Sequence, residues 1–139
     1  MFRRILVPVD FTKTSRRAVL TAARIAASRS AETTLLHVIE RIDAGRPGEL
    51  AAFYRRLERA AGAKLRDLAE ILEKRRLPVK AEIRYGNRVT EILRFAEEWK
   101  TDLLVMSSHR LPVRRSGGSW GTISYKVGLL AHCPVLLIK

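Results

Sequence analysis

A chain of 139 residues with 47% hydrophobic side chains can enclose one sizeable core and is too apolar to remain a disordered polymer. No apolar run approaches the roughly 20 residues of a membrane-crossing helix, and a single cysteine, Cys133, allows no internal disulfide and fits a reducing compartment. The formal net charge of +13 favours anionic partners such as nucleotides, nucleic acid, acidic protein or lipid, without choosing among them.

Arg3-Arg4-Ile5-Leu6-Val7-Pro8-Val9 is short and β-branched, the pattern of a buried strand. It begins like an export signal, but Pro8, Asp10 and Lys13 interrupt the apolar run, which predicts a cytoplasmic protein. Val19, Ala22, Ala23 and Ala26 then recur at helical spacing, with Thr12 or Thr14 available as a cap. Thr33 to Ile39 reads as a second strand, and Arg41 to Gly48, with Gly45 and Pro47, as a loop. Leu50, Phe53, Leu57, Ala61, Leu65, Leu68 and Leu72 step by three or four along a long amphipathic helix. Pro78 to Tyr85 is a third strand. Gly86-Asn87 supplies a turn and a cap, and Val89, Ile92, Leu93 and Ala96 mark the third helix. Asp102 to Met106 is a fourth strand, Ser107 to Gly118 a basic, glycine-containing loop, about Ser119 to Ala131 a last helix, and Pro134 to Ile138 a fifth strand.

Strands alternating with helices predict a single α/β domain over residues 1–139. The expected architecture is a doubly wound, open parallel five-stranded sheet of order 3-2-1-4-5, with four helices shared between its two faces. Such sheets bind ligands beyond the carboxyl ends of their strands where the strand order reverses, here between the first and fourth strands. The loops Asp10 to Thr14 and Ser107 to Thr122 are therefore the functional candidates.

At the first of these stands Pro8-Val9-Asp10-Phe11-Thr12. At the second stands Val105-Met106-Ser107-Ser108-His109-Arg110, followed by Gly121-Thr122-Ile123 and by His132-Cys133-Pro134-Val135. In the order and spacing of its elements the whole chain resembles the universal stress protein family. In nucleotide-binding members the loop after the fourth strand carries G-x2-G-x9-G-[S/T]. Its glycines let backbone N–H groups approach the phosphates, and a helix N-terminus adds a favourable dipole. The resemblance implies ATP or another adenine nucleotide as ligand, with Mg only as its companion. Pro8, Val9 and Asp10 would stand at the base and ribose, Val38 and Met106 would line the base pocket, and Ser107, His109 and Arg110 would follow in the binding loop. Gly121, Thr122 and Ile123 would hold phosphate.

This chain departs from that pattern. Ser107 and Arg110 occupy the first two glycine positions, and ten residues rather than nine separate Arg110 from Gly121. Two readings follow. Either Arg110, Arg114 and Arg115 hold phosphates through guanidinium forks, or Arg110 fills the phosphate volume and the site is closed to ATP.

Other chemistries fit less well. Asp10, Ser107 and His109 could suggest a triad, which demands a Ser–His hydrogen bond and a buried orienting carboxylate. The resemblance implies Asp10 near a ribose instead, and Gly117-Gly118-Ser119 lacks the lysine of a phosphate loop. His37 reads as a satisfied strand histidine. His132 and Cys133 have no second pair at zinc spacing, so no metal site is expected. Any ATP hydrolysis or self-phosphorylation would be slow, since no general base is evident.

The resemblance implies a stress-response or signalling module that forms a homodimer through the last strand, Pro134 to Ile138. An apolar edge strand has the same physical need for a partner. The alternative is a nucleotide-free interaction module whose basic surface docks an acidic protein or nucleic acid. No motif for specific nucleic-acid recognition or for membrane insertion is present.

Overall fold

Every apolar run between turn signals is followed by a helix or by the end of the chain, and the computed structural model, which describes residues 1–41, 48, 50–108 and 122–139, realises this alternation. Its elements are β1 (Arg4–Pro8), α1 (Lys13–Ala27), β2 (Glu32–Ile39), α2 (Ala51–Glu73), β3 (Val79–Tyr85), α3 (Arg88–Glu98), β4 (Leu103–Ser107), α4 (Ile123–Leu130) and β5 (Val135–Ile138). The five strands pair in parallel in the order β3-β2-β1-β4-β5, as the alternation predicted.

The pleat divides the apolar side chains between two cores. Ile5, Val7, Leu35 and Val105 face α1 and α2, against Val19, Ala22, Leu65 and Leu72. Leu6, Leu36, Leu104 and Met106 face the other way, against Ile92 and Phe95 of α3 and Val127 of α4. A strand buried on both faces needs an unbroken apolar run, and each fully buried Leu, Ile or Val contributes about 1.5–3 kcal/mol.

Three helices begin on a side-chain cap: the oxygens of Thr12, Asn87 and Thr122 accept from Ser15 N, Thr90 N and Tyr125 N. The last cap corrects the sequence reading, which began α4 near Ser119. Thr122 is extended (φ −65, ψ 152), so the helix starts at Ile123; residues 119–121 lie outside the described residues. Asp102 likewise stands before β4, because its carboxylate accepts from the amides of Arg3 (2.8 Å) and Arg4 (3.0 Å).

The two sheet edges differ. β3 turns Lys80, Glu82 and Arg84 to one face, and Arg84 pairs with Glu98 at 3.0 Å. β5 is Val-Leu-Leu-Ile, with Leu136 38% exposed, and Leu129 and Leu130 of α4 are each 66% exposed. Among the described residues no helix is long and apolar enough to cross a membrane.

In this topology every helix N-terminus lies at the carboxyl end of the sheet. Charge runs against the dipole there in α1, whereas α3 carries Glu91 in its first turn. α1 opens on Lys13, Arg16 and Arg17 and contains no acidic residue. α2 has no acidic residue in its first turn and no side-chain cap; it carries Arg55, Arg56 and Arg59 in its first half and Asp67, Glu70 and Glu73 in its second. α3 ends on Glu97 and Glu98 with no basic residue in its last turn. A charge that opposes the dipole in a terminal turn costs about 0.3–1 kcal/mol.

Lys13→Glu should therefore stabilise the fold by about 0.3–1 kcal/mol, since it reverses the unfavourable charge at the start of α1 and adds a favourable i,i+4 pair with Arg17. Urea denaturation reads the change. A variant less stable than wild type would show that Lys13 is held by an interaction stronger than the dipole term.

Candidate functional site

β1 and β4 part company early. Their register runs only from Ile5↔Leu103 to Leu6↔Leu104, whereas β1 stays paired with β2 as far as Pro8↔Leu36. Successive N–H groups of a strand point to opposite sides. Val9 N donates to Leu36 O of β2 at 2.9 Å, so the position of Pro8 faces β4, and proline has no N–H to give it. The ladder stops and a cleft of about 380 Å³ opens between the carboxyl ends of β1, β2 and β4. Pro8, Val9, Leu36, Val38, Ile92 and Met106 form its apolar walls; Asp10, His37, Arg88, Ser107, Thr122 and Ser124 supply polar groups, and Ile123 closes the lining. An apolar slot with a few convergent polar groups is the usual form of a small-molecule site.

The turn from β1 to α1 is locked by its own side chains. Asp10 Oδ1 accepts from Thr12 N (3.1 Å) and Thr12 Oγ1 (2.6 Å). Thr12 Oγ1 accepts from Ser15 N (3.1 Å), and buried Ser15 Oγ accepts from Asp10 N (3.1 Å). Phe11 between them has φ 65, a left-handed conformation that costs a non-glycine residue about 1–2 kcal/mol. The ring offsets this by lying 4.4 Å from the His37 ring, with Lys64 Nζ 5.3 Å from its centroid. Among the described residues both donors to the Asp10 carboxylate use Oδ1, so Oδ2 is the acceptor available to a ligand.

His37 joins β2 to this turn. Its Nδ1 is 2.8 Å from Val9 O, and a carbonyl only accepts, so Nδ1 carries the proton and Nε2 the lone pair. Burial lowers its pKa below 6.5, and the positive charges of Arg88 and Lys64 push the same way. The Val9 bond and Asp10 oppose them. Arg88, the first residue of α3, lines the cleft and faces Glu40 at 3.8 Å; both side chains are about half exposed, so the pair is weak and the guanidinium can reorient.

At the other end the cleft meets the start of α4. Thr122 caps the helix, and its hydroxyl lies 3.5 Å from Ser124 Oγ, which donates to Ser108 Oγ at 3.3 Å. Hydroxyls and helix amides there form a donor set suited to an anion. Among the described residues no group of three or more His, Cys, Asp or Glu could hold a metal ion.

Of the residues singled out in the sequence, Pro8, Val9, Asp10, Val38, Met106, Ser107, Thr122 and Ile123 all line this cleft. His109, Arg110 and Gly121 lie outside the described residues. Sequence reasoning missed Leu36, His37, Arg88, Ile92 and Ser124 as lining residues. His37 is satisfied, as its strand position suggested, yet also faces the cleft. Arg88 had a signal in Gly86-Asn87, which starts a helix at the functional end of the sheet.

Comparison with known proteins gives a consistent picture. The model of the universal stress protein family matches residues 1–139. Universal stress protein MJ0531 of Methanocaldococcus jannaschii is 27% identical over 143 residues, covering 100% of this chain and 83% of the relative. The universal stress protein UspA from Lactobacillus plantarum is similar in structure, with a TM-score of 0.73 and 26% identity over 99% of this chain and 98% of that one. A universal stress protein in complex with cAMP has the same fold, with a TM-score of 0.72 and 22% identity over 99% of this chain and 97% of that one. So does the universal stress protein from Archaeoglobus fulgidus in complex with dAMP, with a TM-score of 0.70 and 18% identity over 100% and 98% of the two chains.

The environment of His37 has a consequence that titration can read. The unfolded chain takes up its proton near pH 6.5 and the folded chain only at lower pH. The stabilisation is complete above 6.5 and is lost as pH falls through the folded value. Wild type should lose more unfolding free energy than His37→Gln as the pH is lowered from 6.5 towards the carboxylate range. Parallel losses in the two proteins would show that His37 contributes nothing to acid sensitivity.

Proposed function

The chain belongs to the universal stress protein family, and from that premise we propose that it is a stress-response or signalling module whose cleft takes an adenine nucleotide. One observation carries this reading: residues singled out from two distant loops and two strands converge on a single slot with apolar walls and a helix N-terminus at one end. Val38 and Met106 would enclose the base, Asp10 would accept from the ribose, and Thr122 with the first amides of α4 would meet phosphate. The cAMP and dAMP complexes of proteins with this fold support an adenylate as the ligand class.

Arg110 follows β4 in the sequence, where the family pattern has a glycine, and decides how well phosphates are held. If it contacts them, Arg110→Ala loses a charge-assisted hydrogen bond, and ATP affinity falls about tenfold to a hundredfold with adenosine little changed. If it obstructs them, Arg110→Gly strengthens ATP binding. Calorimetric titration of wild type and both variants with ATP and adenosine separates the cases by sign. An absence of binding in all three would overturn the nucleotide reading.

The same module would act as a homodimer through β5. The apolar strand and the exposed Leu129, Leu130 and Leu136 support this, because an unpaired apolar edge invites a second strand. Leu137, on the other side of the strand, packs against the α3–α4 core, so Leu136 is the position that tests association without disturbing the fold. Sedimentation at micromolar concentration should give a dimer for wild type and a shift towards monomer for Leu136→Lys. A monomeric wild type would reject the pairing.

A further inference from the structure

The cations at the carboxyl end of the sheet exceed what one small ligand in the cleft requires. Lys13, Arg16 and Arg17 on α1 and Arg55 and Arg56 on α2 are all exposed, and among the described residues none has an ion-pair partner. Lys13 and Arg16 lie in the first turn of α1, where they oppose its dipole, so helix stability does not account for their placement. Three of the four acidic residues of α2, Asp67, Glu70 and Glu73, lie in its second half, and Glu58, in the first, accepts a hydrogen bond from the Tyr85 hydroxyl. Aromatic surface is interleaved with these cations. Phe53, in the first turn of α2, is 45% exposed, and the Arg41 guanidinium covers the Tyr85 ring at 4.6 Å, which leaves Phe53 as the face open to a base. Cations that follow a phosphate chain, with aromatic faces for unstacked bases, are the physical means by which proteins hold single-stranded nucleic acid. An acidic protein would use the cations but has no need of the aromatic faces or of a slot shaped for one nucleotide.

We propose that this end of the molecule docks single-stranded nucleic acid, with one nucleotide of the strand in the cleft and the following phosphates passing over the Asp10–Thr12 turn onto the cations of α1 and α2. The proposal rests on the reading that the cleft accepts a nucleotide, and extends its ligand from a free mononucleotide to a unit of a chain. Recognition is by backbone charge and base stacking, with no sequence preference beyond the one base that enters the cleft.

The test is a fluorescence-anisotropy titration of the full chain with a labelled short oligoadenylate, set beside calorimetry with AMP in the same buffer. Oligoadenylate should bind at least about tenfold more tightly than AMP, and AMP should displace it. The triple variant Arg16→Glu, Arg17→Glu, Arg56→Glu should lower the steepness of log affinity against log salt by about 2, at about 0.7 per lost cation, while its AMP affinity stays that of wild type. Phe53→Ala should weaken oligoadenylate by about tenfold and leave AMP unchanged. If AMP binds but oligoadenylate binds no more tightly, the dock is refuted and the nucleotide reading survives. If oligoadenylate binds and AMP neither binds nor competes, the cleft is not involved and both fail. If polyglutamate of similar length binds as tightly as oligoadenylate at equal salt, the surface takes acidic protein and the proposal is overturned.

Discussion

A parallel strand can be followed by another only after a crossover, and a sheet that grows in both directions from its first strand must reverse its winding once. In this chain the reversal falls beside β1, and everything that distinguishes the molecule follows from it. β2 and β3 are laid down on one side of β1, and β4 and β5 on the other. α1 packs on one face of the sheet and α4 on the other, and among the described residues a gap is left between the ends of β1 and β4. Pro8 withholds the N–H that would have carried the ladder further, and Asp10, Thr12 and Ser15 fix the turn that bounds the opening. The cleft is therefore a property of chain direction, finished by a few side chains.

That dependence explains what the sequence discloses. Strands buried on both faces must be apolar without interruption, and Ile5-Leu6-Val7 and Leu103 to Met106 are legible for this reason. Right-handed crossovers narrow the strand orders without selecting one, and the candidate loops follow once the order is 3-2-1-4-5. Residues whose role comes from a neighbour in space are harder to read. The bond from His37 to Val9 spans two strands, and Arg88 reaches the cleft only because α3 starts beside β2. The start of α4 was displaced because Ser119 and Gly121 are as compatible with a helix entry as Thr122 is; only the backbone of Thr122 and its bond to Tyr125 select among them. The uneven exposure of Leu136 and Leu137 is also invisible in the sequence. Alternation separates two sets of side chains but does not reveal which face an end strand leaves uncovered.

Stability and purpose pull apart at the carboxyl end of the sheet. Local rules favour acidic residues where helices begin, and this chain places lysine and arginine there in α1. The strained backbone of Phe11 belongs to the same region, where a glycine would be relaxed but would lose the ring that rests on His37. Ser30, Arg76 and Lys100 also have positive φ, but they follow helix ends at the amino end of the sheet, so Phe11 is the strained residue among the described ones that borders the cleft.

The unlike edges of the sheet bear on how far association can proceed. A strand that pairs with its own copy about a two-fold axis uses the same edge of both molecules and leaves the other edge of each facing outward. Through β5 that would give one continuous ten-stranded sheet, twice the five strands of a single chain, with a β3 at either rim. Each rim carries the alternating charges of Lys80, Glu82 and Arg84, with Arg84 tied back to Glu98. A further chain that approached such a rim would meet desolvation of fixed charges instead of an apolar ribbon. In such a dimer growth would stop at the strand farthest from the paired edge, and the assembly would stay closed rather than extend into a fibre.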